Sequence, residues 1–375
     1  MGIPILSFFT GGGFLDIGFE EAGFNIIWTN ELNPKFADMY EFGITSWRRS
    51  NKLLSPNAKI SCRTSIDKLT ADDVIRDAFS TSRPPLFGVI GGPPCVDFCI
   101  GGKNKGANGT NGRLLGVFAE LIKELKPDFF VIENVPGLRN TKKHKTYLDM
   151  IIKGFRDTPH NYHVISKIVS ALEIGVPQNR ERLFIIGFNE KMVKTMVNED
   201  SSEDCLGSFK WPHAKYPNAN SFPWPTTSPF GESPILPKGI PIELTVNPLL
   251  GGPIDPENLA NGKEYFHPYS LKFNEIKEGD DSRKSFKRLH RHRYSPTAWY
   301  GNNEVHLHPW KPRRLSVREA LRIQTVPDTY LLPVEYPLTA KFKLIANGVP
   351  CKLAKAIAES VMASIPPNVI RGIET

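Results

Sequence analysis

Apolar and polar positions alternate on two different periods over the first 188 residues, and the two periods take turns. Residues 4–9, PILSFF, read as a strand, residues 15–24, LDIGFEEAGF, as a helix, and residues 25–31, NIIWTNE, as a second strand that ends on an acid. PLFGVI at 85–90 is short and apolar enough for a strand buried on both faces. RLLGVFAELIKELK at 113–126 puts Leu114, Val117, Phe118, Leu121, Ile122 and Leu125 on one helical face before Pro127 stops the helix. FFVIEN at 129–134 is the next strand, and HVISKIVSA and RLFIIGF, joined by LEIGVPQNRE, read as an antiparallel pair. Strands separated by amphipathic helices predict an α/β fold, a doubly wound, mostly parallel sheet.

After Phe188 the pattern breaks. Ten of the 32 prolines fall between Trp211 and Pro253 with little periodicity, which predicts short strands and long loops. Trp211, Trp224 and scattered Ile and Leu give this smaller, loop-rich domain something to bury. From Arg283 to Arg322 eleven Lys or Arg meet only two acids, interleaved with Phe286, Tyr294, Trp299, Tyr300 and Trp310. Such a run is either a solvated basic face or a surface for a phosphate backbone with bases to stack on. Residues 339–365 return to helical periodicity and are expected to pack back onto the first domain.

A chain of 375 residues accommodates one large domain and a smaller companion. At 40% hydrophobic and 23% charged residues, without an apolar run of bilayer length, it reads as soluble, with no membrane partner. The start, MGIPILSFFT, has neither a basic segment nor a cleavage site, so it reads as a first strand and places the protein in the cytoplasm. Cysteines 62, 95, 99, 205 and 351 are scattered without a C-x-x-C pair, which argues against a disulfide framework and a zinc site, and no metal is expected. A net charge of +8 suits a polyanionic partner.

Four places carry chemistry. Gly11-Gly12-Gly13 ends the first strand 20 residues before Glu31, a spacing shared by dinucleotide and S-adenosylmethionine binders and by plain structural turns. Cys95 follows GGPP at the end of a strand, where it is either a nucleophile or a buried structural thiol. Glu133 ends the next strand, as a satisfied polar group or as an acid for a heterocycle nitrogen. Gln178, Arg180 and Arg182 lead into the last strand, and period-2 alternation puts both arginines on one face, able to grip a phosphate and a carbonyl side by side.

FTGGGFLDIGF, ELNP, GGPPC, ENVPGL, GVPQNRERLFIIG, RRLSVREALRIQTVPD and IANGVPCKLAKAI stand in the order and approximate spacing of the cytosine-5 DNA methyltransferases. Over residues 4–188 and 308–362 the chain resembles a bacterial restriction-modification member of that family. The resemblance implies a Rossmann-like catalytic domain from residues 1–188 and 338–375, with 189–337 as target-recognition domain and hinge. It implies methyl transfer from S-adenosylmethionine to carbon 5 of a cytosine flipped out of a specific double-stranded DNA sequence. Cys95 matches the nucleophile that adds to C6, Glu133 the acid at N3, and Arg182 the residue that holds O2, with Arg180 and Gln178 as second choices. Phe9, Gly11, Gly13, Glu31, Pro93 and Asn347 match cofactor contacts, and Ser65 stands where the family has an aspartate for the adenine amine. Gln178, Arg291, Arg293, Thr297 and Gly301 are the expected DNA contacts, whereas Arg313, Arg318, Glu319 and Gln324 are expected to make internal links. A monomer is implied, with any cognate restriction endonuclease acting separately.

The chain also departs from the family pattern. Ser7 and Phe14 replace an aspartate and a glycine of the cofactor loop, and Val96, Asp97 and Cys99 replace the usual polar residues after the cysteine. The segment CIGGKNKGANGTNGR that follows resembles the family's mobile catalytic loop. A tRNA cytosine-5 methyltransferase, a non-catalytic DNA-binding relative and an unrelated nucleotide-binding oxidoreductase remain as alternatives.

Overall fold

The computed structural model describes residues 2–53, 59–79, 82–94, 110–196, 209–282, 285–297 and 306–371. Seven strands, β1 (Pro4–Phe8), β2 (Asn25–Asn30), β3 (Lys59–Cys62), β4 (Gly88–Gly91), β5 (Phe129–Asn134), β6 (His163–Ser170) and β7 (Glu181–Phe188), form one sheet in the order β3-β2-β1-β4-β5-β7-β6. β1 to β5 pair in parallel, and β7 runs antiparallel to both its neighbours. The expected doubly wound, mostly parallel sheet is therefore present, including the antiparallel β6–β7 pair.

The helices are α1 (Phe14–Glu21), α2 (Pro34–Ser50), α3 (Ala71–Ala78), α4 (Thr110–Leu125), α5 (Gly137–Asn140), α6 (Lys142–Arg156), α7 (Ala171–Ile174), α8 (Glu190–Met196), α9 (Asn247–Leu250), α10 (Val317–Ile323), α11 (Leu338–Asn347), α12 (Cys351–Ser364) and α13 (Pro367–Arg371). Successive strand residues face opposite sides, so each buried strand feeds two cores. Ile5 and Phe129 join Phe19, Leu353, Ile357 and Val361 under α1 and α12. Leu6 and Phe130 join Leu115, Phe118 and Phe155 under α4 and α6. The final helical stretch thus packs back onto the first domain as its periodicity predicts. α2 went unremarked in the hydrophobic pattern, yet its start is written in ELNP: Asn33 accepts from the N–H groups of Lys35 and Phe36, and Pro34 sits in the first turn.

Between β7 and α10 the described chain holds short helical turns and only one strand pair, β8 (Lys287–Arg288) with β9 (His306–Leu307). A loop-rich segment lacks ladder partners for its carbonyls, and buried arginines supply them here. Arg288, 1% exposed, donates to the carbonyls of Ile276, Phe273, His308 and Lys311. Arg318 serves Ala260 and Tyr330, and Arg322 serves Leu249 and Ile254 while pairing with Asp328. Much of the basic run is accordingly neither a solvated face nor a phosphate surface; it is internal scaffolding.

As expected, the segment around α10 is structural. Ser316 and Glu319 form a reciprocal N-terminal cap, and Arg313 grips both oxygens of buried Glu319 at 2.8 Å. α10 and the turn after it also join the two parts of the chain: Val317 and Leu321 of α10 and Tyr330 beyond it pack with Phe14, Ile17, Tyr40 and Trp47 of α1 and α2. The Tyr330 hydroxyl donates to the Gly12 carbonyl at 2.8 Å, which ties this segment to the glycine turn after β1.

Candidate active site

In a doubly wound sheet the crevice lies beyond the carboxyl ends of the strands, where the connections leave in opposite directions. Here that point falls between β1 and β4, since β2 and β3 lie to one side of β1 and β5 to the other side of β4. The glycine turn follows β1 and the Gly92-Pro93-Pro94 segment follows β4, so both sequence signals reach one edge. A cavity of about 1300 Å³ opens there, walled by residues 7–12, 30–34, 65–66, 92–94, 133–135 and 346–349.

On the β1–β2 side the backbone is shaped for close approach. Gly11 and Gly13 have φ of 54° and 73°, and a side chain on Gly11 would meet no atom within 4 Å, so this turn faces open space. Phe9 adopts φ 55°, a strained conformation for a bulky residue, and its ring stands edge-on to Phe118 at 5.5 Å. Glu31 accepts from the N–H groups of Gly11 at 2.9 Å and Asn33 at 2.8 Å. Burial raises its pKa, and those two bonds hold it back. Asn30 donates to the carbonyls of Cys62 and Thr64 and so fixes the strand leading to Ser65, whose hydroxyl donates to Asp67 at 2.5 Å.

The second half of the site depends on the reversed strand. An antiparallel partner brings its start to the end of its neighbour. Glu133 and Asn134 at the end of β5 lie opposite Phe184 and Leu183, and Arg182 follows at once. Arg182 Nε is 2.7 Å from Glu133 Oε1, with both side chains largely buried. Burial pushes the Glu133 carboxyl above its ordinary value, and the charges of Arg182 and then Arg180 pull it partly back. A Cβ on Gly92 would stand 2.9 Å from Glu133 Oε2, so the first glycine after β4 is what lets the acid lie against this loop. Asn134 donates to the Pro93 carbonyl at 3.4 Å and ties the same two elements together.

Other expected site residues sit differently. Arg180 does line the cavity, but it is 1% exposed and donates to the carbonyls of Ala346 and Gly348 at 3.0 and 2.8 Å. It therefore positions the turn carrying Asn347, which is exposed at the end of α11 and lines the cavity, rather than gripping a phosphate. Gln178 is fully buried against Gln324 and the Ile323 carbonyl, so as a DNA contact it is corrected to an internal strut. Arg291 is corrected likewise: Glu278, wholly buried, takes both its Nε and a terminal nitrogen. Arg293 stays partly exposed 3.5 Å from Asp281, and Thr297 lines the cavity with its hydroxyl donating to the Asn179 carbonyl. Cys95, Val96, Asp97, Cys99 and Gly301 lie outside the described residues, as does most of the segment after Cys99.

Asp16 escaped the sequence reading because it sits inside an apolar helical run. It lines the cavity, fully buried, accepting from Ser7 Oγ at 2.6 Å and the Tyr40 hydroxyl at 2.8 Å, and burial pushes its pKa up to about 6. The folded chain thus holds this proton more tightly than the unfolded chain, whose carboxyl titrates near 3.8. Asp16 then lowers stability as pH rises from about 4 through about 6, by roughly 2–3 kcal/mol in all. Asp16→Asn should remove that component and narrow the stability difference between about pH 5 and about pH 7.5 in urea unfolding. An unchanged difference would show that Asp16 does not carry it.

Solved structures share this sheet over nearly their full lengths. The Entamoeba histolytica methyltransferase EhMeth matches with a TM-score of 0.59 at 14% identity, covering 97% of this chain and 98% of that one. The Dnmt2 methyltransferase of S. pombe matches with a TM-score of 0.57 at 12% identity, covering 100% of both chains. At these identities the likeness is one of fold alone.

The sequence narrows the class. Residues 3–363 match the model of the C-5 cytosine-specific DNA methylases, and the chain belongs to that family. It is 41% identical over 364 residues to the type II methyltransferase M.NmeDI of Neisseria meningitidis serogroup C, a match spanning 94% of this chain and 82% of that protein. It is 27% identical over 378 residues to M.MthTI of Methanothermobacter thermautotrophicus, spanning 96% and 97%.

Proposed function

We propose that the chain methylates carbon 5 of a cytosine extruded from a specific double-stranded DNA sequence, by way of a bond between Cys95 and C6 of the base. The observation that carries this reading is the Glu133–Arg182 pair, held at 2.7 Å against the loop that runs into Cys95. A cytosine stacked in duplex cannot present C6, so the base must leave the helix. Glu133, whose carboxyl keeps its proton to higher pH than usual, holds a proton at N3. Among the described residues Arg182 has donors for O2 beyond those turned to Glu133 and the Glu181 carbonyl. Both draw electron density from the ring, C6 becomes open to the Cys95 thiolate, and C5 becomes nucleophilic. Loss of the C5 proton and β-elimination then release the thiolate.

S-adenosylmethionine, when bound, supplies the electrophilic methyl group that C5 accepts. The residues present fit it: the Gly11 turn opens onto free space, and Glu31 retains lone pairs for ribose hydroxyls. Phe9 offers its ring and Asn347 its amide, with Gly13 and Pro93 shaping the adjoining turns. Ser65, its proton turned to Asp67, keeps an acceptor for the adenine amine in place of the family's aspartate. Residues 189–337 serve as recognition domain and hinge, where Arg293, Thr297 and Gly301 are the remaining DNA contacts. The protein acts in the cytoplasm as a monomer, as the modification enzyme of a restriction-modification system whose endonuclease works separately.

Incubation with labelled S-adenosylmethionine and duplex DNA, single-stranded DNA or tRNA tests the reading. Label should enter duplex DNA as 5-methylcytosine at one recurring sequence; label confined to tRNA, or absent from every duplex, would overturn it.

A further inference from the structure

Two adjacent arginines in the small domain meet opposite fates. Arg313 is saturated: Glu319 takes it bidentately and Glu257 pairs with it as well. Arg314 has no carboxylate within ion-pair distance among the described residues. Its guanidinium instead lies over three rings, Phe266 at 5.0 Å, Phe286 at 5.3 Å and Tyr269 at 5.9 Å. Phe286 is held at φ 61°, a costly conformation for an aromatic residue, where it meets this guanidinium. The Arg314 Nε is buried with no hydrogen-bond partner among the described residues.

Aromatic faces attract a guanidinium plane but accept none of its in-plane N–H groups. A guanidinium seated in this way is fixed in orientation and keeps its donor edge for a planar or tetrahedral oxyanion, which it binds bidentately. Arg314 lines the same cavity as Glu133 and Arg182, and Lys343 and Thr339 of α11 line it too. Lys343, like Arg314, has no ion pair among the described residues, so this wall of the cleft is cationic and lacks its counter-charge.

We propose that Arg314 is a phosphate clamp, binding one phosphodiester of the DNA strand that carries the target cytosine and so setting the height at which the extruded base enters the cleft. The inference rests on the reading of DNA as substrate. A phosphodiester offers two unesterified oxygens at the spacing of the guanidinium fork, whereas the neighbouring arginines of the basic run are already engaged with carbonyls and carboxylates.

The test uses a duplex that the native chain methylates. If the native chain methylates none, the substrate reading itself fails and not merely the clamp. With such a duplex, Arg314→Gln should weaken binding roughly tenfold to a hundredfold. The slope of log affinity against log salt should become shallower by about 0.9, the value of one lost phosphate contact. KM for DNA should rise more than kcat falls, and S-adenosylmethionine binding should hold. A residue that only braces the aromatic cluster would change melting temperature without moving the salt slope. Arg314→Lys keeps the charge and loses the fork, so it should keep the native slope at reduced affinity; should Arg314→Gln fail to fold, this variant decides, and native affinity would overturn the clamp. Native affinity and slope in Arg314→Gln, or weakened S-adenosylmethionine binding with DNA binding intact, would overturn it equally.

Discussion

Cys95→Ala should abolish methyl transfer, by a factor on the order of 10⁴ or more, the scale on which deletion of a covalent nucleophile acts. The native chain should form a denaturation-resistant adduct with S-adenosylmethionine and duplex DNA carrying 5-fluorocytosine, and the same variant should fail to form it. The adduct reports the mechanism directly. Once the thiolate has added to C6 and C5 carries the methyl group, turnover needs C5 to lose its proton; fluorine in that place cannot leave as a cation, and the carbon–sulfur bond persists. Cys99→Ala is the informative control, because it stands four residues on and replaces a residue that is usually serine in the family. It should trap as the native chain does. An adduct surviving Cys95→Ala, or trapping lost in Cys99→Ala alone, would reassign the nucleophile. Cys95 is the sole thiol among the five at the end of GGPP, next to Pro94 on the cavity wall. Two prolines before it remove two N–H donors and fix two φ angles, which restricts the paths by which the chain can leave β4.

Sequence pattern reached the sheet because buried parallel strands and amphipathic helices have distinct periods, and it reached Glu133, Arg182 and Glu31 because all three end or begin a strand at the same edge. It was less informative wherever the partner of a side chain is remote. Alternation places Arg180 and Arg182 on one face, yet says nothing of the Ala346 and Gly348 carbonyls that take Arg180 from 166 and 168 residues away. The basic run raises the same difficulty at larger scale. Its sign is visible in composition, while the need for donors in a segment with almost no strand pairing is a tertiary matter. Arg288, Arg291, Arg313, Arg318 and Arg322 answer that need, so a count of cations overstates the surface open to DNA. Asp16 was hidden for a related reason: a carboxyl inside an apolar face reads as an exception until Ser7 and Tyr40 are seen to donate to it.

Glu133→Gln should lower kcat by about 10²–10⁴-fold, the range for loss of a positioned general acid. Glutamine keeps nearly the same shape and can still accept from Arg182 Nε, so the fold and DNA affinity should change little. On the proposed mechanism what is lost is the proton for N3, and with it the carboxylate that faces Arg182 at 2.7 Å. The two residues act as one unit, since each orients the other at 2.7 Å and Arg182 is the largest favourable influence on the Glu133 charge. Removing Arg182 deprives a buried carboxyl of its main counter-charge, which drives its pKa higher still and loosens its orientation. Arg182→Gln should therefore cost a comparable factor alone, and the double variant should be scarcely worse than either single one. In single-turnover kinetics with saturating DNA, additive losses would show that the pair does not work together, and Arg182 would then be serving the base from a separate position. Non-additive losses with unaltered DNA affinity would locate the defect in activation of the extruded base, the step proposed for the pair that the reversed strand β7 brings together at the end of β5.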